Sequence, residues 1–91
     1  MVLKKYGTLL KKYLKELKPL KYNKLIIDGD LMDYLLEEEK YLYEFADMVQ
    51  IFLKHKYPEP KTHEFIVIAK YNQMIENMVE EFVRSEITKI V

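Results

Sequence analysis

The residues whose chemistry is most evident from the sequence are charged, and they are sorted into two blocks of opposite sign. Residues 1–27 contain eight lysines and one glutamate, a net charge of +7. Residues 28–53 contain eight acidic residues and one lysine, a net charge of −7. Because the blocks are separate, each can bind a macromolecule of opposite charge, and the two can also pair with each other. Ionic binding is therefore the first chemistry that the sequence indicates.

Five lysines of the basic block recur at every third residue. A lysine contacts phosphate as a point charge, whereas base readout relies on Arg, Asn and Gln, and Asn23 is the only such residue in this region. The pattern therefore favours contacts to a nucleic-acid backbone over sequence-specific recognition, and it is also typical of a solvated helix surface. The candidate nucleic-acid-binding residues are Lys12, Lys15, Lys18, Lys21 and Lys24.

Acidic side chains of the second block recur at alternating spacings of four and three residues, with Lys40 among them. At about 100° per residue this spacing predicts one stripe along a helix, facing away from the apolar side. Such a stripe can dock on a basic protein surface or take the place of a nucleic-acid backbone, and solvated helix faces share the pattern. The candidate partner-binding residues are Asp33, Glu37, Glu44 and Asp47.

Residue types for catalysis or metal binding are scarce. Cysteine is absent, Ser85 is the only serine, and no glycine-rich phosphate loop occurs, so we expect a protein that is not an enzyme. His55 and His63 lie near two glutamates around a Pro-Glu-Pro segment, but their spacing matches no established metal-ligand pattern. Residues 28–33 contain only a fragment of a calcium loop. We expect neither a metal nor a cofactor.

Glycines and prolines divide the chain into four predicted helices. Gly7 precedes the first helix, Pro19 begins the second and Gly29 ends it, and the Pro-Glu-Pro segment separates two longer helices. We predict the short helices within residues 8–28 and the long helices over 30–56 and 62–90, all in one domain of residues 1–91. The predicted fold class is all-α, a long antiparallel helical hairpin with two short N-terminal helices packed on it.

The apolar periodicity predicts which positions pack in the core. In the first helix these are Tyr6, Leu10, Tyr13 and Leu17. In the third they are Leu31, Leu35, Glu38, Leu42, Phe45, Val49 and Phe52, with Glu38 the one polar member. In the fourth they are Ile68, Tyr71, Ile75, Met78 and Phe82. The internal methionines and the apolar C-terminus can instead serve self-association, which leaves a homodimer open.

The composition predicts a globular, cytoplasmic protein with no membrane association. Hydrophobic residues make up 49% of the chain, enough for one modest core at this length. The absence of cysteine excludes disulfides, and no apolar run reaches the length of a signal peptide or a membrane span.

The order of several motifs resembles the TnpV family, small proteins encoded on transposons and related mobile elements. The matching N-terminal residues are Tyr6-Gly7, Lys12-Tyr13-Leu14-Lys15-Glu16, Pro19, Tyr22, Leu25, Gly29, Leu31 and Leu35. The matching C-terminal residues are Asn72, Glu80-Glu81, Val83 and Glu86-Ile87. The chain differs from the family pattern in having lysines where arginines are usual, and in its hairpin turn.

The resemblance implies a mobile-element accessory protein that works by binding, and it brings no catalytic residues. Mobile elements also encode small inhibitors of host nucleases, including anti-CRISPR proteins. Near-neutral net charge with a long acidic stripe favours docking on a nucleic-acid-processing protein, such as a recombinase or a CRISPR-type nuclease. The alternative is a DNA-binding excision or transposition accessory factor that uses the lysine-rich helices.

Overall fold

The computed structural model describes residues 2–91 as an all-α protein, and this part of the chain contains four helices and no strand. The helices are α1 (Lys5–Leu17), α2 (Pro19–Asp28), α3 (Leu31–Lys56) and α4 (Phe65–Ile90). They make up 83% of the structure. The predicted fold class is therefore confirmed at the level of an all-α protein.

Local backbone chemistry sets the two ends of α2. Pro19 occupies the start of the helix, where its missing N–H leaves no hydrogen bond unmade. Gly29 follows the last turn at a φ of +76°, and its amide donates to the Ile26 carbonyl oxygen at 3.1 Å. A residue with a side chain is strained at this φ, so glycine suits the position. Both ends agree with the prediction.

Two predicted helix starts were wrong. Gly7 does not precede α1 but lies inside it, buried in the third helical position. The helix α4 begins at Phe65, not at residue 62, and the Glu64 amide donates to the Thr62 hydroxyl at 3.2 Å just ahead of it. The side chain of Thr62 thus satisfies a backbone N–H that the first turn of α4 leaves without a partner.

The core lies where α3 packs against both α1 and α4, which also contact each other. From α3 it takes Leu35, Glu39, Leu42, Ala46, Val49 and Leu53. From α4 it takes Tyr71, Ile75, Val79, Val83 and Ile87, and from α1 it takes Tyr6, Gly7, Leu10 and Leu14. The helix α2 has no buried residue and contacts α1 and α3 at the surface.

Several predicted core positions were wrong. Leu17, Phe52 and Phe82 are 54%, 57% and 46% exposed, and their places are taken by Leu14, Leu53, Val79 and Val83. The polar residue within the α3 core row is Glu39, while Glu38 is half-buried. Apolar residues in α3 and α4 cover more of the helix surface than one row of buried positions needs. The periodicity is therefore compatible with two alternative buried rows in each helix. Because α3 packs against both α1 and α4, its buried row is centred between those two helices.

Two tyrosine hydroxyls connect α3 and its C-terminal end to α4. The Tyr41 hydroxyl donates to Glu86 Oε1 at 3.1 Å, and the Tyr71 hydroxyl donates to the Tyr57 carbonyl oxygen at 2.5 Å. The first part of α3 therefore lies beside the last part of α4, and the residue after α3 lies beside the first part of α4. Within residues 2–91, no helix has the length and apolar character needed to cross a membrane.

Candidate binding surfaces

The acidic stripe, which we define as Asp33, Glu37, Glu44 and Asp47, lies on the exposed surface of α3. It covers 14 residue steps, or about 21 Å at the rise of an α-helix. Lys5 and Glu80 form the ion pair found in residues 2–91, and no carboxylate of the stripe takes part in an ion pair there. The stripe thus presents four exposed carboxylates without an ion-pair partner in the described residues, and the exposed Lys40 lies in the same row between Glu37 and Glu44.

Asp47 differs from the other three because it also lines a groove between α3 and α4. The groove has a volume of about 520 Å³, and Tyr6, Tyr43, Gln50 and Asn72 contribute to its walls. Burial raises the pKa of the Tyr6 phenol above its usual value; the charge of Lys5 opposes this rise, and the charges of Glu80 and Asp47 add to it. Asp33, Glu37 and Glu44 are therefore exposed away from the groove, whereas Asp47 borders it.

The five candidate lysines are all exposed, but they do not form one continuous row. Lys12 and Lys15 lie on α1, Lys21 and Lys24 lie on α2, and Lys18 lies at the break between the helices. The Lys18 amide donates to the Leu14 carbonyl at 2.9 Å. The candidate site for nucleic acid is thus divided between two helix surfaces.

Lys21 is turned toward α3. Its ammonium lies 5.1 Å from the ring centroid of Tyr34 and donates to the Tyr34 hydroxyl at 3.4 Å. A cation over an aromatic face is attracted by the ring quadrupole, so this lysine helps to hold α2 against α3. Nothing in the local sequence predicts this contact, because Lys21 and Tyr34 lie on different helices.

Glu39 has a role that the sequence pattern did not predict. It is 6% exposed, and its Oε2 accepts hydrogen bonds from the Lys4 amide at 2.7 Å and from the Gly7 amide at 2.9 Å. The first turn of a helix carries backbone N–H groups without helical partners and a positive dipole end, and a carboxylate satisfies both. A buried acid of α3 thus caps α1. The available signal was the position of Glu39 four residues after Leu35 and three before Leu42.

Lys5 forms an ion pair with Glu80 of α4. The hydrogen bond to Glu80 raises the pKa of Lys5, and the same bond lowers the pKa of Glu80. Lys5, Glu80 and the capping residue Glu39 are thus three charged residues whose structural roles the sequence left unassigned. Among residues 2–91, no three His, Asp or Glu side chains come close enough to hold a metal ion, and His55 and His63 are no exception.

Comparison with protein-family models identifies a family for this chain. A family model described as transposon-encoded protein TnpV matches residues 1–88 of the 91-residue chain. Searches of curated proteins and of solved structures find no match. The matched span includes the motifs from Tyr6-Gly7 to Glu86-Ile87, so the sequence-based resemblance is confirmed, and the chain belongs to the TnpV family of transposon-encoded proteins.

Proposed function

We propose that this chain is a mobile-element accessory protein that performs no catalysis and binds a nucleic-acid-processing protein through the acidic stripe. Recombinases and CRISPR-type nucleases carry extended basic surfaces for nucleic acid, and these fit a row of carboxylates. Membership of the TnpV family supports the association with transposons. The observation that carries the proposal is that four exposed carboxylates share one helix and are not paired within residues 2–91.

The platform for the stripe, in this proposal, is an antiparallel hairpin of α3 and α4 with α1 and α2 packed on it. The hydrogen bonds from Tyr41 to Glu86 and from Tyr71 to Tyr57 support this arrangement. Because α3 packs against the three other helices, it keeps the carboxylates at a fixed spacing. Less conformational entropy is then lost on binding than with a mobile acidic segment.

The stripe acts by competition with nucleic acid. One strand of a DNA duplex carries a phosphate about every 3.4 Å, so a stripe of about 21 Å covers the length of about six phosphates. A protein that fills part of a basic nucleic-acid channel with carboxylates excludes the nucleic acid from it. This is modulation or inhibition of the kind that anti-CRISPR proteins exert on nucleases.

Biolayer interferometry with an immobilised recombinase and an immobilised CRISPR-type nuclease tests the proposal. We expect the variant D33K/E37K/E44K/D47K to bind at least about tenfold more weakly than the natural chain, because four attractive contacts become repulsive. The control E16K/D28K/E59K/E64K changes the net charge equally at exposed positions outside α3 and α4, and it should retain binding. Equal binding by the stripe variant and the control, with unchanged circular dichroism, would overturn the proposal.

The second candidate function is direct DNA binding, as an excision or transposition accessory factor. The exposure of Lys12, Lys15, Lys18 and Lys24 supports it. About four phosphate contacts give a slope near −4 in a plot of log affinity against log salt concentration. Fluorescence anisotropy with labelled duplex DNA at two salt concentrations measures this slope. Absence of binding at low salt rejects this candidate.

A further inference from the structure

One side of the α3 and α4 pair is apolar and uncovered. We define this apolar face by its exposed members, Tyr41, Met48 and Phe52 on α3 and Met74 and Phe82 on α4, whose exposed fractions lie between 37% and 62%. Phe45 and Met78 are partly buried beside them. All of these seven side chains except Tyr41 had been assigned from the sequence either to the core or to self-association.

The members of the apolar face lie in two adjacent rows. On α3, Tyr41, Phe45, Met48 and Phe52 follow each other at spacings of four, three and four, which places them on one side of the helix. On α4, Met74, Met78 and Phe82 recur at every fourth residue, again on one side. The hydrogen bond from Tyr41 to Glu86 and that from Tyr71 to Tyr57 hold the two rows side by side.

The size and composition of the apolar face match the centre of a protein interface. Taking about 200 Å² for a large side chain when fully exposed, the five exposed members present about 500 Å² of apolar surface. A stable interface covers about 800 Å² on each partner, with an aromatic and methionine-rich centre and a polar rim. The apolar face supplies such a centre, and the side chains around it supply the rim.

Charges at the edge of the face indicate what covers it. Lys70 and Glu81 are exposed on α4 and lie eleven residues apart, which is three helical turns or about 16 Å along one side. They bracket Met74 and Met78, and neither takes part in an ion pair within residues 2–91. The edge of the face on α4 therefore carries a positive charge toward one end and a negative charge toward the other, so two copies of this edge are complementary when they run in opposite directions.

We propose that the apolar face binds a second copy of the chain in an antiparallel, twofold arrangement. In this dimer Lys70 of each copy lies opposite Glu81 of the other, and the aromatic and methionine side chains of the two copies fill the centre. An interface of this isologous kind repeats each contact twice. The proposal does not depend on the acidic stripe, and its test uses the purified chain alone.

Sedimentation velocity from micromolar to submillimolar concentration tests the dimer. We expect the natural chain to form dimers, and we expect Phe52→Lys to sediment as a monomer with unchanged circular dichroism. Leu20→Lys is the matched control, because Leu20 is 84% exposed on α2 and lies outside the face. A natural chain that stays monomeric throughout would overturn the proposal, as would a Phe52→Lys variant that still forms dimers.

Charge exchange tests the antiparallel arrangement without altering the apolar centre. Lys70→Glu and Glu81→Lys should each raise the dissociation constant of the dimer about tenfold, because each creates two like-charge contacts. The double variant K70E/E81K restores both attractive contacts and should return the dissociation constant to that of the natural chain. A double variant as weak as the single ones would contradict the arrangement, as would single variants that dimerise normally.

Discussion

The carboxylate of Glu39 fills the space in which any residue other than glycine at position 7 would carry a side chain. Glu39 Oε2 accepts a hydrogen bond from the Gly7 amide at 2.9 Å, and a Cβ built on Gly7 would lie closer than 3.0 Å to this carboxylate. The contact joins the basic first block of the chain to the acidic second block. Gly7 is therefore required for room within a helix, since its conformation is helical and any residue could adopt it.

We predict that Gly7→Ala destabilises the protein by about 1 to 2 kcal/mol. Crowding against the carboxylate costs about 2 to 3 kcal/mol, at the upper end for an overpacked site, and the higher helix propensity of alanine offsets about 1 kcal/mol of this. Urea unfolding followed by circular dichroism measures the difference. Thr8→Ala, at an exposed neighbouring position, is the control and should not destabilise. A Gly7→Ala variant as stable as the natural chain would show that the carboxylate moves aside freely.

We predict that Glu39→Leu destabilises by about 2 to 4 kcal/mol, because two backbone amides lose a charged acceptor. In the Glu39→Ala background the space beside Gly7 is empty, so a further Gly7→Ala change should be neutral or stabilising. A double-mutant cycle of urea unfolding measures this coupling between the two positions. If the effects of Gly7→Ala and Glu39→Ala on the free energy of unfolding were additive, the two positions would not be coupled.

A third prediction compares two neighbouring residues of α3. Periodicity predicted that Phe52 is in the core, but the structure buries Leu53 instead. Leu53 is 3% exposed, so Leu53→Ala should cost about 2 to 5 kcal/mol, whereas Phe52→Ala should cost under about 1 kcal/mol. Both are measured by urea unfolding at a concentration below that of dimer formation. If Phe52→Ala lowered the free energy of unfolding more than Leu53→Ala does, Phe52 would be the core residue, as the periodicity predicted.

A fourth prediction concerns the pH dependence of the ion pair between Lys5 and Glu80. The hydrogen bond from Lys5 lowers the pKa of Glu80 below its usual value of 4.5. The ionised Glu80 carboxylate therefore contributes to stability above pH 4.5, and this contribution is lost as the pH falls through the lowered pKa. The pKa of Lys5 is raised above 10.5, so its share is present below that pH and is lost as pH rises through the raised pKa. Titration of the Glu80 carboxyl by NMR should show its pKa rising in Lys5→Met and unchanged in Lys4→Met. An equal pKa in both variants would contradict the pair.

The parts of the fold that were predictable depend on neighbouring residues, and the parts that were not depend on distant ones. Pro19 and Gly29 mark the ends of α2 because a missing N–H and a left-handed backbone are local properties. The role of Gly7 was missed because its reason lies 32 residues away, at Glu39. Periodicity likewise could not choose between Phe52 and Leu53, since both belong to a broad apolar band and only the packing of α1 and α4 selects one.

The same distinction holds for the candidate surfaces. Exposure of the acidic stripe follows from the spacing of its residues along one helix, and the structure places all four on the surface. The contact of Lys21 with Tyr34 and the position of Asp47 at the groove depend on how the helices are packed, which no local pattern encodes. The sequence indicated the apolar face only indirectly, because α3 and α4 contain more apolar residues than one buried row in each helix requires.

A displacement measurement tests directly whether the acidic stripe competes with nucleic acid for a basic protein surface. A labelled DNA duplex is bound to a recombinase or a CRISPR-type nuclease, and its fluorescence anisotropy is followed as the chain is added. We expect the natural chain and E16K/D28K/E59K/E64K to lower the anisotropy by releasing the duplex, whereas D33K/E37K/E44K/D47K should not. Equal displacement by all three proteins would contradict a role for the acidic stripe, and a rise in anisotropy with the chain alone would show that it binds DNA itself.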